Sequence, residues 1–156
     1  MATCGLYYVP DWWSVSYLIN NVYMVVLFIL LCLYASSSGC KDAILYGRKG
    51  ADTFDWNEHM LFVFERVLVL SIALYSTLYK HSSLLDAIVL FATFACSFSF
   101  FHNGFYYETA RQINRSEYRF WSNSKTSTAR LEMTWGIRLA LLLLSLGILI
   151  FYISIK

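Results

Sequence analysis

Apolar residues gather into four separated stretches, 18–35, 60–79, 84–101 and 136–155, each about 20 residues long and together almost half of the 156-residue chain. A helix rising about 1.5 Å per residue needs roughly 20 apolar residues to cross a hydrocarbon core about 30 Å thick. The pattern predicts an all-α, polytopic integral membrane protein with four transmembrane helices in a single domain spanning residues 1–156. The connections are expected at about 36–59 and 102–135, with only residues 80–83 between the second and third spans. Such a short link predicts a tight antiparallel hairpin.

Within the third span, Phe91, Phe94, Phe98 and Phe101 recur at helical spacing as a bulky stripe, expected to face lipid. Beside it Ala92, Ala95, Cys96 and Ser99 form a stripe of small residues. Small side chains let helix backbones approach closely in lipid, so this stripe is expected to face another helix. In the fourth span Arg138, Ser145 and Tyr152 recur every seven residues and share one face, with Gly147 nearby. A polar stripe of that kind suits an interface or a water-filled path.

Composition strengthens the membrane reading. Hydrophobic residues make up 58 % of the chain and charged residues 14 %, against about 25 % charged in soluble proteins. A formal charge of +2, with basic residues dispersed, gives no footprint for nucleic acid. Cys4, Cys32, Cys40 and Cys96 have no metal-type spacing. Residues 35–40 loosely resemble a lipoprotein cleavage box, but no Lys or Arg precedes the first span and the apolar run is longer than a signal-peptide core.

The distribution of Lys and Arg sets an expected orientation. Lys41, Arg48 and Lys49 fall in the first long connection, and Arg111, Arg115, Arg119, Lys125 and Arg130 in the last. The opposite side carries only Lys80 and Lys156. Both long connections are therefore expected in the cytoplasm and both termini outside it. Tyr7, Tyr8, Trp12, Trp13 and Tyr17 would mark the outer boundary, and Trp56 and Trp135 the inner one. Pro10 beside Asp11 suits the start of the first helix.

Charged side chains inside spans cost about 2.5–3.5 kcal/mol each on insertion scales and call for partners. Ser83 through Asp86 reads as a capping box, which accounts for Asp86, and Lys80 and His81 suit the carbonyl end of the preceding helix. Asp55, Trp56, Asn57 and Glu58 form a second such box, which sets Glu65 about 13 Å along its helix. Glu65, Arg66, His102 and Arg138 are thus expected to converge in one polar cluster at the cytoplasmic mouth, as a gate or as structural pairs.

The last connection is aromatic and basic. A bend at Gly104 followed by a short interfacial helix would present Tyr107, Arg111, Arg115 and Trp121 as an anchoring or docking surface, with a Glu108 to Arg111 pair. Residues 122–128 form a polar turn expected to cap the fourth helix. No zinc-protease, nucleophile-elbow, phosphate-loop or EF-hand motif is present. Asn114, Arg115 and Ser116 match a glycosylation acceptor on the side expected to be cytoplasmic.

These features lead to a small homo-oligomeric channel or pore-like assembly in a lipid bilayer, without catalytic residues, metal or cofactor. A non-conducting accessory or anchoring subunit, recruiting a membrane-complex partner through residues 102–135, is the alternative. A metal-dependent intramembrane hydrolase using Glu58, His59 and His102 is a third.

Overall fold

The computed structural model describes residues 12–49, 56–79, 83–113, 117–123 and 133–155. They form four helices: α1 (Trp12–Lys49), α2 (Trp56–Tyr79), α3 (Leu84–Gln112) and α4 (Trp135–Ile155). Each contains a stretch long and apolar enough to cross a membrane. The protein is an all-α, four-helix, multi-pass membrane protein. The expected boundary markers Tyr7 and Tyr8, Asp55 of the expected second capping box, Lys80, His81 and residues 124–128 of the expected polar turn lie outside the described residues.

Two helices run well beyond their apolar cores. α1 has 38 residues, about 57 Å, and α3 has 29, about 44 Å. The segments 36–49 and 102–112, expected in connections, are helical continuations instead. The reason is that α1 and α3 run parallel and pack along their length, so the extensions are held by tertiary contact rather than by lipid. Cys32 meets Ser97, Thr109 donates to Cys40 at 3.2 Å, and the Tyr46 and Tyr106 rings meet edge to face at 6.1 Å.

The close approach is set by Ala35, Gly39 and Ala43, one small residue per turn on the buried face of α1. A Cβ at Gly39 would collide with the His102 carbonyl oxygen and come within 3.1 Å of the Tyr106 backbone nitrogen. Gly104, expected to bend the chain, lies within continuous helix and seats the Phe120 ring.

α3 is the central helix: it packs on α1 along one face and antiparallel to α4 along another. Its buried residues are Asp86, Ala87, Leu90, Thr93, Phe94, Ser97, Gly104, Tyr107 and Ala110. This corrects the expected packing stripe, because Ala92 and Ala95 are exposed in the four-helix unit, and Cys96 and Ser99 are only partly buried. The small residues that matter at the closest crossing come from α1. The phenylalanine stripe also turns inward: Phe94 is in the core, and Phe91, Phe98 and Phe101 pack against it.

The heptad stripe of α4 is buried in full, with Arg138, Ser145 and Tyr152 all facing inward. Ser145 Oγ donates to the Thr93 carbonyl at 2.8 Å, and Tyr152 donates to Asp86 Oδ1 at 2.8 Å. Asp86 also closes the capping box, since Ser83 N–H donates to Asp86 Oδ2 at 2.7 Å and Asp86 N–H to Ser83 Oγ at 3.2 Å. α2 is the outlying helix. Only Ala73 and Thr77 are buried among its described side chains, and the Tyr23 hydroxyl on α1 reaches its Ser76 carbonyl at 3.1 Å.

Candidate functional site

The end where α1 and α3 finish and α2 begins carries a cluster of charged groups from all three helices. Asp42 on α1 is its centre. Its Oδ2 lies 3.0 Å from His102 Nε2 on α3 and 3.3 Å from Arg66 Nη2 on α2, and the two nitrogens are 3.4 Å apart. Lys41, one residue earlier, pairs with Glu65, one residue before Arg66. Arg66 is about 20 Å along α2 from Tyr79, and His102 about 27 Å along α3 from Leu84, so the cluster sits toward one edge of a 30 Å core.

Exposure falls steeply across it. The Lys41, Glu65 and Arg66 side chains are partly exposed, His102 is mostly buried, and Asp42 is 7 % exposed. Asp42 Oδ1 is buried with no hydrogen-bond donor.

The ring of His102 is held on three sides. Phe98 stacks on it at 5.0 Å between centroids, with Arg66 over the same Phe98 at 5.6 Å. Nδ1 faces Asn103 Oδ1 at 3.1 Å, while Asn103 Nδ2 donates to Ser99 Oγ at 3.0 Å and Ser99 Oγ contacts Met133 Sδ at 3.2 Å. The amide bond to Ser99 turns the Asn103 oxygen toward the ring, which makes Nδ1 the donor and leaves Nε2 facing Asp42 and Arg66.

The cluster differs from its sequence-based expectation in three ways. Asp42, absent from that expectation because residue 42 fell in a connection, is the shared acceptor, and Glu65 turns to Lys41. Arg138 does not join. It is fully buried between the rings of Tyr107, at 5.9 Å, and Trp135, at 5.6 Å, and donates to the Ser122 carbonyl. The physical reason is its position on the α4 face that packs on α3, which turns its guanidinium to the segment at 117–123.

That segment is a lid of aromatic rings over the α3–α4 junction. Phe120 contacts Phe100 at 5.5 Å, Phe105 at 5.7 Å and Trp135 at 5.8 Å, and Asn123 Oδ1 accepts from the Trp135 backbone N–H at 3.1 Å. Of the expected docking surface, Tyr107 is buried beneath Tyr118, Arg111 pairs with Glu108, and Trp121 is 55 % exposed beside Arg119. Arg115 lies outside the described residues. Phe120→Ala is expected to cost about 3 kcal/mol by emptying the seat over Gly104, and loss of midpoint in chemical unfolding checks it. Trp121→Ala should leave the same midpoint almost unchanged.

Among the described residues no group of three His, Cys, Asp or Glu side chains is arranged to hold a metal ion, and Glu58 and His59 have no described side chains. The class defined by fold and site is a four-helix membrane protein with an interhelical Asp–Arg–His cluster near one face. No family model matches the chain, and neither the curated proteins nor the solved structures contain a match.

Proposed function

We propose that this chain is a small ion-conducting membrane protein that works as a homo-oligomer, with the cluster at Asp42, Arg66 and His102 as its gate. The observation that carries the reading is the convergence of three ionisable side chains from three apolar helices near one membrane face. Such groups are expensive in a bilayer and commonly mark an ion path. The gradient from the partly exposed Lys41–Glu65 pair inward to Asp42 has the form of an entrance.

Oligomerisation enters because the interior of one bundle is filled. Met24, Phe28, Leu31, Leu90, Phe94 and Leu149 close the core, so in this reading the ion path lies outside a single bundle and needs a second copy to enclose it. In this reading the cluster faces the cytoplasm and both termini lie outside, following the Lys and Arg distribution.

Native mass spectrometry of the nanodisc-embedded protein is expected to give a closed homo-oligomer, and proteoliposomes to pass ions above empty vesicles. A monomer that passes none at high loading removes the reading. The second reading, a non-conducting anchoring subunit, is favoured by exposed Trp121 on a lid clamped by Phe120 and Arg138. A stoichiometric partner retained by the wild type and lost on Trp121→Ala together with Arg119→Ala would support it.

A further inference from the structure

We infer that the ion handled by the Asp42–His102 pair is the proton, and that Arg66 bars the site to metal cations; this rests on the ion-conducting reading above. The pair has the geometry of an exchange site. With Nδ1 committed to Asn103, the second nitrogen of His102 has two available states. In the neutral ring the Nε2 lone pair accepts from Arg66 Nη2 at 3.4 Å, and in the doubly protonated ring Nε2–H donates to Asp42 Oδ2 at 3.0 Å.

A proton entering from the partly exposed side bonds to the Nε2 lone pair and gives an imidazolium beside the Asp42 carboxylate. Transfer to Asp42 returns a neutral imidazole and leaves a carboxylic acid. Release of that proton to water on the opposite side of the path restores the carboxylate, so one proton enters, one leaves and no other reactant is consumed.

Two features separate a proton from a metal cation here. Asp42 Oδ1 is buried and lacks a donor, so a proton is the one cation that reaches it without a cavity. A hydrated metal ion requires several converging ligands, whereas Asp42 Oδ2 is held by Arg66 and His102, Glu65 is turned to Lys41, and no three His, Cys, Asp or Glu side chains converge among the described residues. The groups around Asp42 are Lys41, Tyr34 and Tyr46 from α1, Glu65 and Arg66 from α2, and His102 with Asn103 from α3. On α4, Arg138 is engaged with Tyr107, Trp135 and Ser122. Arg66 touches both members of the pair and fills the space beside Asp42 Oδ2 and His102 Nε2 that a metal ion would need.

The test compares ions in one preparation of the full-length chain. Proteoliposomes with an entrapped pH dye receive a potassium diffusion potential through valinomycin, while matched vesicles without valinomycin report potassium and sodium flux directly. Wild-type protein is expected to acidify or alkalinise the lumen with the imposed potential at ten or more times the empty-vesicle rate, without sodium or potassium flux. Asp42→Asn and His102→Gln should each remove nine-tenths of that proton flux, and Arg66→Gln should admit sodium. Metal-ion flux without proton flux in the wild type overturns the inference and leaves the conducting reading standing. Silence for every ion overturns both, and neither wild-type result depends on whether a variant folds. A folded Asp42→Asn protein with undiminished proton flux also overturns the inference.

Discussion

Gly39→Ala is expected to destabilise the folded protein by about 3 kcal/mol, at the upper end of what overpacking costs. The new methyl would meet backbone, not a movable side chain: the His102 carbonyl and the Tyr106 nitrogen stand in its place. Relief requires α1 and α3 to separate along a contact that also carries Asp42 to His102 and Cys40 to Thr109. Gly104→Ala supplies the comparison, because the atoms in its way belong to the tip of the Phe120 ring, which can swing aside. Its cost should be at most half as large. Denaturant unfolding of both variants in the same detergent checks the order, and equal midpoints for Gly39→Ala and wild type would refute the backbone contact.

At the other end of the bundle, Asp86→Ala is expected to cost about 3 kcal/mol. Loss of the reciprocal cap on α3 accounts for about 1 kcal/mol. Loss of a buried hydrogen bond between Tyr152 and a carboxylate accounts for about 2 kcal/mol more. Asp86 is 1 % exposed, so water does not replace either partner. Tyr152→Phe should cost less, since it keeps the cap. The double variant should fall short of the sum of the two, because both substitutions delete the same bond. Strict additivity in the unfolding free energies would mean that the hydroxyl and carboxylate do not interact.

The features easiest to read from the sequence are those written in a single helix's own period. Four apolar runs of spanning length mark the helices, Ser83 with Asp86 marks a helix start, and the seven-residue repeat of Arg138, Ser145 and Tyr152 marks one buried face. The extent of α1 was hidden because hydropathy ends at Ala35, whereas the helix is sustained by α3 to Lys49. That truncation placed Asp42 in a connection and concealed the centre of the cluster. Ala35, Gly39 and Ala43 held a legible signal, one small residue every fourth position, but the serines among them resemble a processing box more than a helix. Which partner each charge takes was not legible at all. Glu65 and Arg66 are neighbours in sequence yet pair with Lys41 and Asp42 separately, a choice made by the facing helix.

The light packing of α2 bears on how the protein enters its membrane. α2 contains the least apolar of the four spanning windows, and it carries Glu65 and Arg66 near the start of that window. Their counter-charges, Lys41 and Asp42, belong to a helix synthesised earlier, so both are present when α2 leaves the ribosome. Insertion of α2 is thus coupled to α1, as a charge-matched pair rather than as two independent spans. His102 arrives last, on α3, and closes the group. The direction of translation delivers Glu65, Arg66 and His102 after the α1 side chains with which they pair.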